Sequence, residues 1–120
     1  MKRFLFILVA AILTFISCER GSEPSPIKGE WVCDLNGVQM TLEYGNRDVK
    51  YTYYIDLYDA TAIYKGIYTI KDNVITHEFT SLTTKNSSKI GYYDLEKMPK
   101  EAILKDDSTI IYMDYTFTRK

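Results

Sequence analysis

The sequence predicts an all-β chain, a single antiparallel barrel or sandwich of about eight short strands. Two observations predict it. Past residue 17 the 120-residue chain holds 3 Ala and 6 Leu against 11 Thr and 11 Tyr, poor in helix formers and rich in side chains that suit a pleated, half-buried surface. From Lys28 onward, apolar and polar residues alternate with a period of two, in runs bounded by turn residues at roughly 8–12-residue intervals. No stretch sustains a helical period, and no internal repeat longer than a hairpin is present.

Residues 1–17 read as an export segment. Lys2 and Arg3 form its positive end, Phe4 to Ile16 is apolar apart from Thr14, and Ser17 is the small residue before a cut. The apolar run is 13 residues long, short of the ~20 that a spanning helix needs. Residues 18–26 hold two Pro, one Gly and no apolar residue after Cys18, and read as a flexible tether. Residues 27–120 remain for one domain, within the usual range for a single core. Without the leader the chain carries 13 basic and 16 acidic residues, net −3. That charge argues against nucleic acid as a partner, and the basic and aromatic residues are not clustered for it.

In the domain, Trp31, Cys33 and Leu35 alternate with Glu30, Val32 and Asp34. Asn36-Gly37 is a strong hairpin signal, because a type I′ turn needs positive φ at both central residues. Val38, Met40, Leu42 and Tyr44 line one face of the next run, and Gly45-Asn46-Arg47-Asp48 turns the chain again. Val49, Tyr51, Tyr53, Ile55 and Leu57 share a face of the third, which ends at Tyr58-Asp59-Ala60. The fourth runs from Ala62 to Ile70, with Gly66 marking a bulge or bend. Lys71-Asp72-Asn73 leads into a run from Val74 to Phe79. Residues 80–89 read as a polar loop, Ile90 to Leu95 as a strand, and Glu101 to Lys105 as a short element, one helical turn at most. After the turn at Asp106-Asp107-Ser108, Thr109 to Arg119 reads as one long closing strand.

Phe15-Ile16-Ser17-Cys18 resembles the lipobox of bacterial lipoproteins, in which the cysteine becomes the lipidated N-terminus. A thiolate suits acyl-lipid transfer chemistry, and several acyl chains at Cys18 would anchor the chain firmly to a membrane. Glu19 stands where some bacteria place the Asp that retains a lipoprotein at the inner membrane, which points to the outer membrane. The domain resembles the small lipocalin-like lipoproteins of Bacteroidetes-type bacteria. Gly29-Glu30-Trp31 is similar to the Gly-x-Trp opening of lipocalins. Gly66-Ile67-Tyr68-Thr69-Ile70 with the hairpin behind it, and Asp107-Ser108-Thr109-Ile110-Ile111 leading to Tyr115-Thr116-Phe117-Thr118-Arg119, resemble the group's central hairpin and closing strand. The resemblance implies an eight-stranded up-and-down barrel. It also implies that Gly29, Trp31 and Arg119 pack one barrel end, with the guanidinium over the indole.

What the barrel holds is less legible. Tyr is spread over most strands and offers a flat apolar face with a polar tip. It serves equally to fill a small barrel and to line a pocket. Tyr53, Tyr68, His77 and Tyr112 are the candidates to face a small apolar or glycan ligand. Tyr53-Tyr54 and Tyr92-Tyr93 should each turn one ring outward if they lie on strands, forming a patch for a protein partner. A single histidine, no second domain cysteine beside Cys33 and scattered glycines argue against a catalytic triad, a metal site or a phosphate loop. The reading is therefore a non-catalytic binding or interaction module needing no cofactor, or else an accessory subunit of an outer-membrane assembly. Asp106-Asp107 reads as a turn, although Asp107-Ser108-Thr109 also resembles a short O-glycosylation motif of exported proteins.

Overall fold

A computed structural model describes residues 25–120; the export segment, Cys18 and most of the tether lie outside them. The chain forms eight antiparallel strands closed into an up-and-down barrel. They are β1 (Gly29–Leu35), β2 (Val38–Tyr44), β3 (Asp48–Ile55), β4 (Ala60–Lys71), β5 (Val74–Lys85), β6 (Glu101–Asp106), β7 (Thr109–Tyr112) and β8 (Tyr115–Arg119). Each strand pairs with its sequence neighbour, and β8 returns to β1 through Trp31 opposite Arg119. The sheet and its buried core thus close within residues 27–119, which makes 25–120 a structurally complete unit.

The turns follow backbone chemistry. In the β1–β2 hairpin Gly37 has φ of 83° but Asn36 is not at positive φ, so the turn is not the type I′ that Asn36-Gly37 suggests; Asp72 and Asn73 both have positive φ between β4 and β5, the two-residue turn that matches strand twist. At Gly66 the β4–β5 register shifts. A Cβ there would run into the backbone carbonyl of Glu78, so only glycine lets the two long strands approach this closely.

Four elements differ from the sequence expectation. The polar run 80–85 continues β5 instead of forming a loop, because Thr and Ser are acceptable on a strand opposite β4. Ile90 to Leu95 forms no strand and belongs to a connection over residues 86–100. Glu101–Asp106 is a strand, not a helical turn, and pairs with Val74–Thr76 and with β7. The closing run from Thr109 is split into β7 and β8 by a turn at Met113 and Asp114, both at positive φ. A Met-Asp turn carries no glycine signal, which is why the alternation looked continuous.

Inward side chains fill the barrel unevenly. Ile27, Trp31, Leu42, Ile75, Ile110 and Phe117 are wholly buried toward the end where the chain enters and leaves. Cys33 is a free, buried thiol on the same face; burial raises its pKa and leaves it a small apolar side chain. The other end carries the 36–37, 56–59 and 113–114 turns and the 86–100 connection.

Candidate ligand-binding site

The closed end is built around Trp31. Its indole N–H donates to the Ile27 carbonyl at 2.9 Å, and the Arg119 guanidinium lies 4.3 Å from the ring centroid. Arg119 is held there by three carbonyls: Nε donates to Asp107 (3.1 Å), Nη1 to Lys28 (3.2 Å) and Nη2 to Pro26 (3.0 Å). Its planar fork ties the entering chain, the β6–β7 turn and the last strand together over the indole. Gly29, at φ 129°, starts β1 directly beneath it.

The mouth differs. A cavity of about 460 Å³ opens there, lined by Met40, Tyr51, Tyr53, Tyr64, Gly91, Tyr92, Tyr93, Met98, Met113 and Tyr115. No lining side chain is charged. Burial raises the pKa of Tyr51 and Tyr64, so both present neutral hydroxyls. The Tyr64 hydroxyl donates to the Tyr93 carbonyl at 2.6 Å, fixing the 86–100 connection across the opening. Met113 adopts positive φ, a costly conformation for a bulky residue, and its side chain lines the cavity.

The sequence candidates separate. Tyr53 lines the cavity. Tyr68 is buried lower in the barrel and its hydroxyl donates to the Gly45 carbonyl at 2.7 Å. The Tyr112 hydroxyl donates to the Pro99 carbonyl at 2.6 Å, which makes it a strut for the connection. His77 is wholly buried and lies 2.6 Å from the Tyr44 hydroxyl through Nε2. Desolvation lowers its pKa from 6.5 to about 4, so the ring is neutral. It faces a smaller lateral cavity and not the tyrosine cup.

Of the doublets, Tyr54 points outward toward Asp56 and Asp59 as alternation requires. Tyr92 and Tyr93 are not on a strand, and both stand exposed while lining the cup. Tyr51, Tyr64, Tyr115 and the three methionines were not singled out. Tyr51 and Tyr64 could have been, since they share the inward face of Tyr53 and Ala62 in strict alternation. Among the described residues no cluster of His, Cys, Asp or Glu is placed to hold a metal ion. No protein-family model matches the chain, and neither the curated proteins nor the solved structures provide a match.

Proposed function

We propose that this chain is a non-catalytic lipoprotein of the outer membrane, anchored through Cys18, whose lipocalin-like barrel binds a small, largely apolar ligand in the cup at its mouth. The tyrosine and methionine cavity of about 460 Å³ is the observation that carries this reading. Small-molecule sites are concave, mainly apolar and several hundred Å³ in volume, with a few polar groups to orient the ligand. Tyrosine hydroxyls are those groups here. A glycan is the weaker occupant, because sugar hydroxyls call for charged or amide partners and the lining has none. The tether enters at the opposite end of the barrel from the cup, so an anchored molecule can present its mouth away from the lipid.

An exposed apolar rim supports a second reading, docking of an envelope protein. Leu35, Leu57, Tyr58, Tyr92, Tyr93 and Tyr115 are all exposed and all belong to the mouth end. The two readings separate with residues 25–120 and the fluorescent apolar probe N-phenylnaphthylamine. Saturable enhancement that Tyr53→Ser and Tyr115→Ser each weaken by about tenfold, roughly the loss of one buried aromatic contact, supports the ligand reading. No saturable enhancement removes it. The anchor is tested apart: Cys18→Ser should release the full chain from the membrane fraction.

A further inference from the structure

Resting on the reading of the mouth cavity as the ligand site, we propose that its occupant is a free organic cation: a quaternary ammonium group carried on a small apolar body.

The lining is selective among apolar residues. Six tyrosines (Tyr51, Tyr53, Tyr64, Tyr92, Tyr93 and Tyr115) and three methionines make up all of it except Gly91. Ile27, Leu42, Ile75, Ile110 and Phe117 pack the closed end, yet no Leu, Ile, Val or Phe lines the cup. The tyrosine ring has a negative face and methionine sulfur is polarisable, so both suit a diffuse positive charge. Tyr92, Tyr93 and Tyr115 are 41%, 52% and 41% exposed while they line the cavity, so a solute can reach them. Tyr53 comes from β3 and Tyr115 from β8, with β1 and β2 between those strands in the closed barrel, while Tyr92 and Tyr93 come from the 86–100 connection. A molecule in the cup therefore meets rings on more than one side. Among the described residues the cation held over a ring is Arg119, on Trp31 at the other end, and no cup tyrosine carries one.

The charge around the cup is negative in balance. The segments that frame it carry Asp56, Asp94, Glu96 and Asp114 against Lys89 and Lys97, while Asp59 is paired with Lys85 at 3.2 Å. Asp94 and Asp114 are exposed and adjoin the lining residues Tyr93, Met113 and Tyr115. The Tyr64 hydroxyl has its pKa raised mainly by burial and also by the Asp94 charge, which puts that carboxylate within electrostatic reach of the cavity. Carboxylates outside the lining draw a cation inward without forming a direct ion pair with it. A primary ammonium brings three N–H groups that need acceptors, and the lining has no carboxylate or amide side chain to match them. A quaternary ammonium brings none. The tether enters at the opposite end of the barrel, which favours a free molecule over a headgroup of the anchoring membrane.

The test compares two molecules of one shape. Residues 25–120 labelled with nitrogen-15 are titrated with (3-hydroxyphenyl)trimethylammonium and, in parallel, with 3-tert-butylphenol, which differs only in lacking the charge. A merely apolar cup takes the neutral molecule more tightly, because the cation loses hydration on entry. The cation should instead bind about fivefold more tightly at low ionic strength. Asp94→Asn combined with Asp114→Asn, and separately raised salt, should each lower that preference about threefold. Tyr115→Leu, which keeps apolar surface and removes the ring, should lower it by a similar factor. Tighter or equal binding of the phenol, with N-phenylnaphthylamine still bound, would overturn the cation and leave the cup reading standing. Failure of all three molecules to bind would remove both. A preference that no variant lowers would place the cation outside the cup and overturn the assignment as well. Phosphatidylcholine vesicles should not retain residues 25–120; retention would overturn the free molecule in favour of a lipid headgroup.

Discussion

At the closed end of the barrel, Trp31, Leu42 and Phe117 are wholly buried beneath an arginine; at the mouth, Tyr92, Tyr93 and Tyr115 stand exposed around a cavity. Both ends are rich in aromatic residues, but the exposure of their rings differs. The Trp31 N–H and the Tyr68 hydroxyl are committed to backbone carbonyls, and Arg119 crosses the opening on three more. At the mouth the protein leaves aromatic faces in contact with water, where they contribute little to folding. Stability therefore concentrates at the closed end, and if the mouth binds a ligand as proposed, substitutions should divide accordingly.

The largest expected effect is at the closed end. Trp31→Ala removes the indole from a fully packed site and should cost about 3–5 kcal/mol of stability, read from the urea midpoint of residues 25–120. Probe binding per folded molecule should hold. A loss below about 1 kcal/mol would show that the closed end is not the anchor of the fold.

Next comes acid. His77 is buried neutral with its pKa lowered to about 4, against 6.5 when exposed. Between those values the unfolded chain binds a proton that the folded chain does not. Stability is therefore full above about pH 6.5 and falls as the pH drops toward 4, by about 3 kcal/mol in all. Unfolding measured at pH 7 and pH 4.5 should show this slope, and His77→Phe should flatten it. Asp106, whose pKa is lowered mainly by the Ser108 backbone N–H, acts only at lower pH, below its ordinary value of 3.8.

The same contrast explains what was legible in the sequence. Strands β1 to β4 follow from alternation and turn chemistry, since Asn36-Gly37 and the Gly66 bulge are local signals. Trp31 and Arg119, 88 residues apart in sequence and paired in register, could be joined only through the likeness to a lipocalin opening and closing strand. The mouth was largely illegible. Ile90-Gly91-Tyr92-Tyr93 has strand composition, yet the segment forms no strand and lies in the 86–100 connection, where the Tyr64 hydroxyl holds the Tyr93 carbonyl. Its place depends on tertiary contacts such as that hydrogen bond, to which a local pattern is blind. His77 could be placed on an inward face, but no spacing reveals that the wall beside it is incomplete.

A smaller effect sharpens the closed end. Arg119→Ala removes the cation over Trp31 and three hydrogen bonds that lie at the surface, where each is worth little. It should cost about 1–2 kcal/mol. Arg119→Lys keeps the charge without the fork and should recover less than half of that loss. Full recovery by lysine would make the contact one of charge alone and not of geometry.

The smallest effect on stability is the most informative about function. Tyr93→Ser and Tyr115→Ser delete aromatic rings that are 52% and 41% exposed. Each should change the unfolding free energy by less than about 0.5 kcal/mol, the usual range for surface positions. Neither ring supports the mouth by its hydroxyl: Tyr64 holds the connection through the Tyr93 backbone carbonyl, which serine retains. If the rim rings were packing elements, the loss would rise toward that of a core aromatic and probe affinity would fall only as the barrel unfolded. A variant that is folded as firmly as the parent and yet binds N-phenylnaphthylamine about tenfold more weakly separates the two contributions. It would show that these tyrosines are retained for what enters the cup and not for the barrel that frames it.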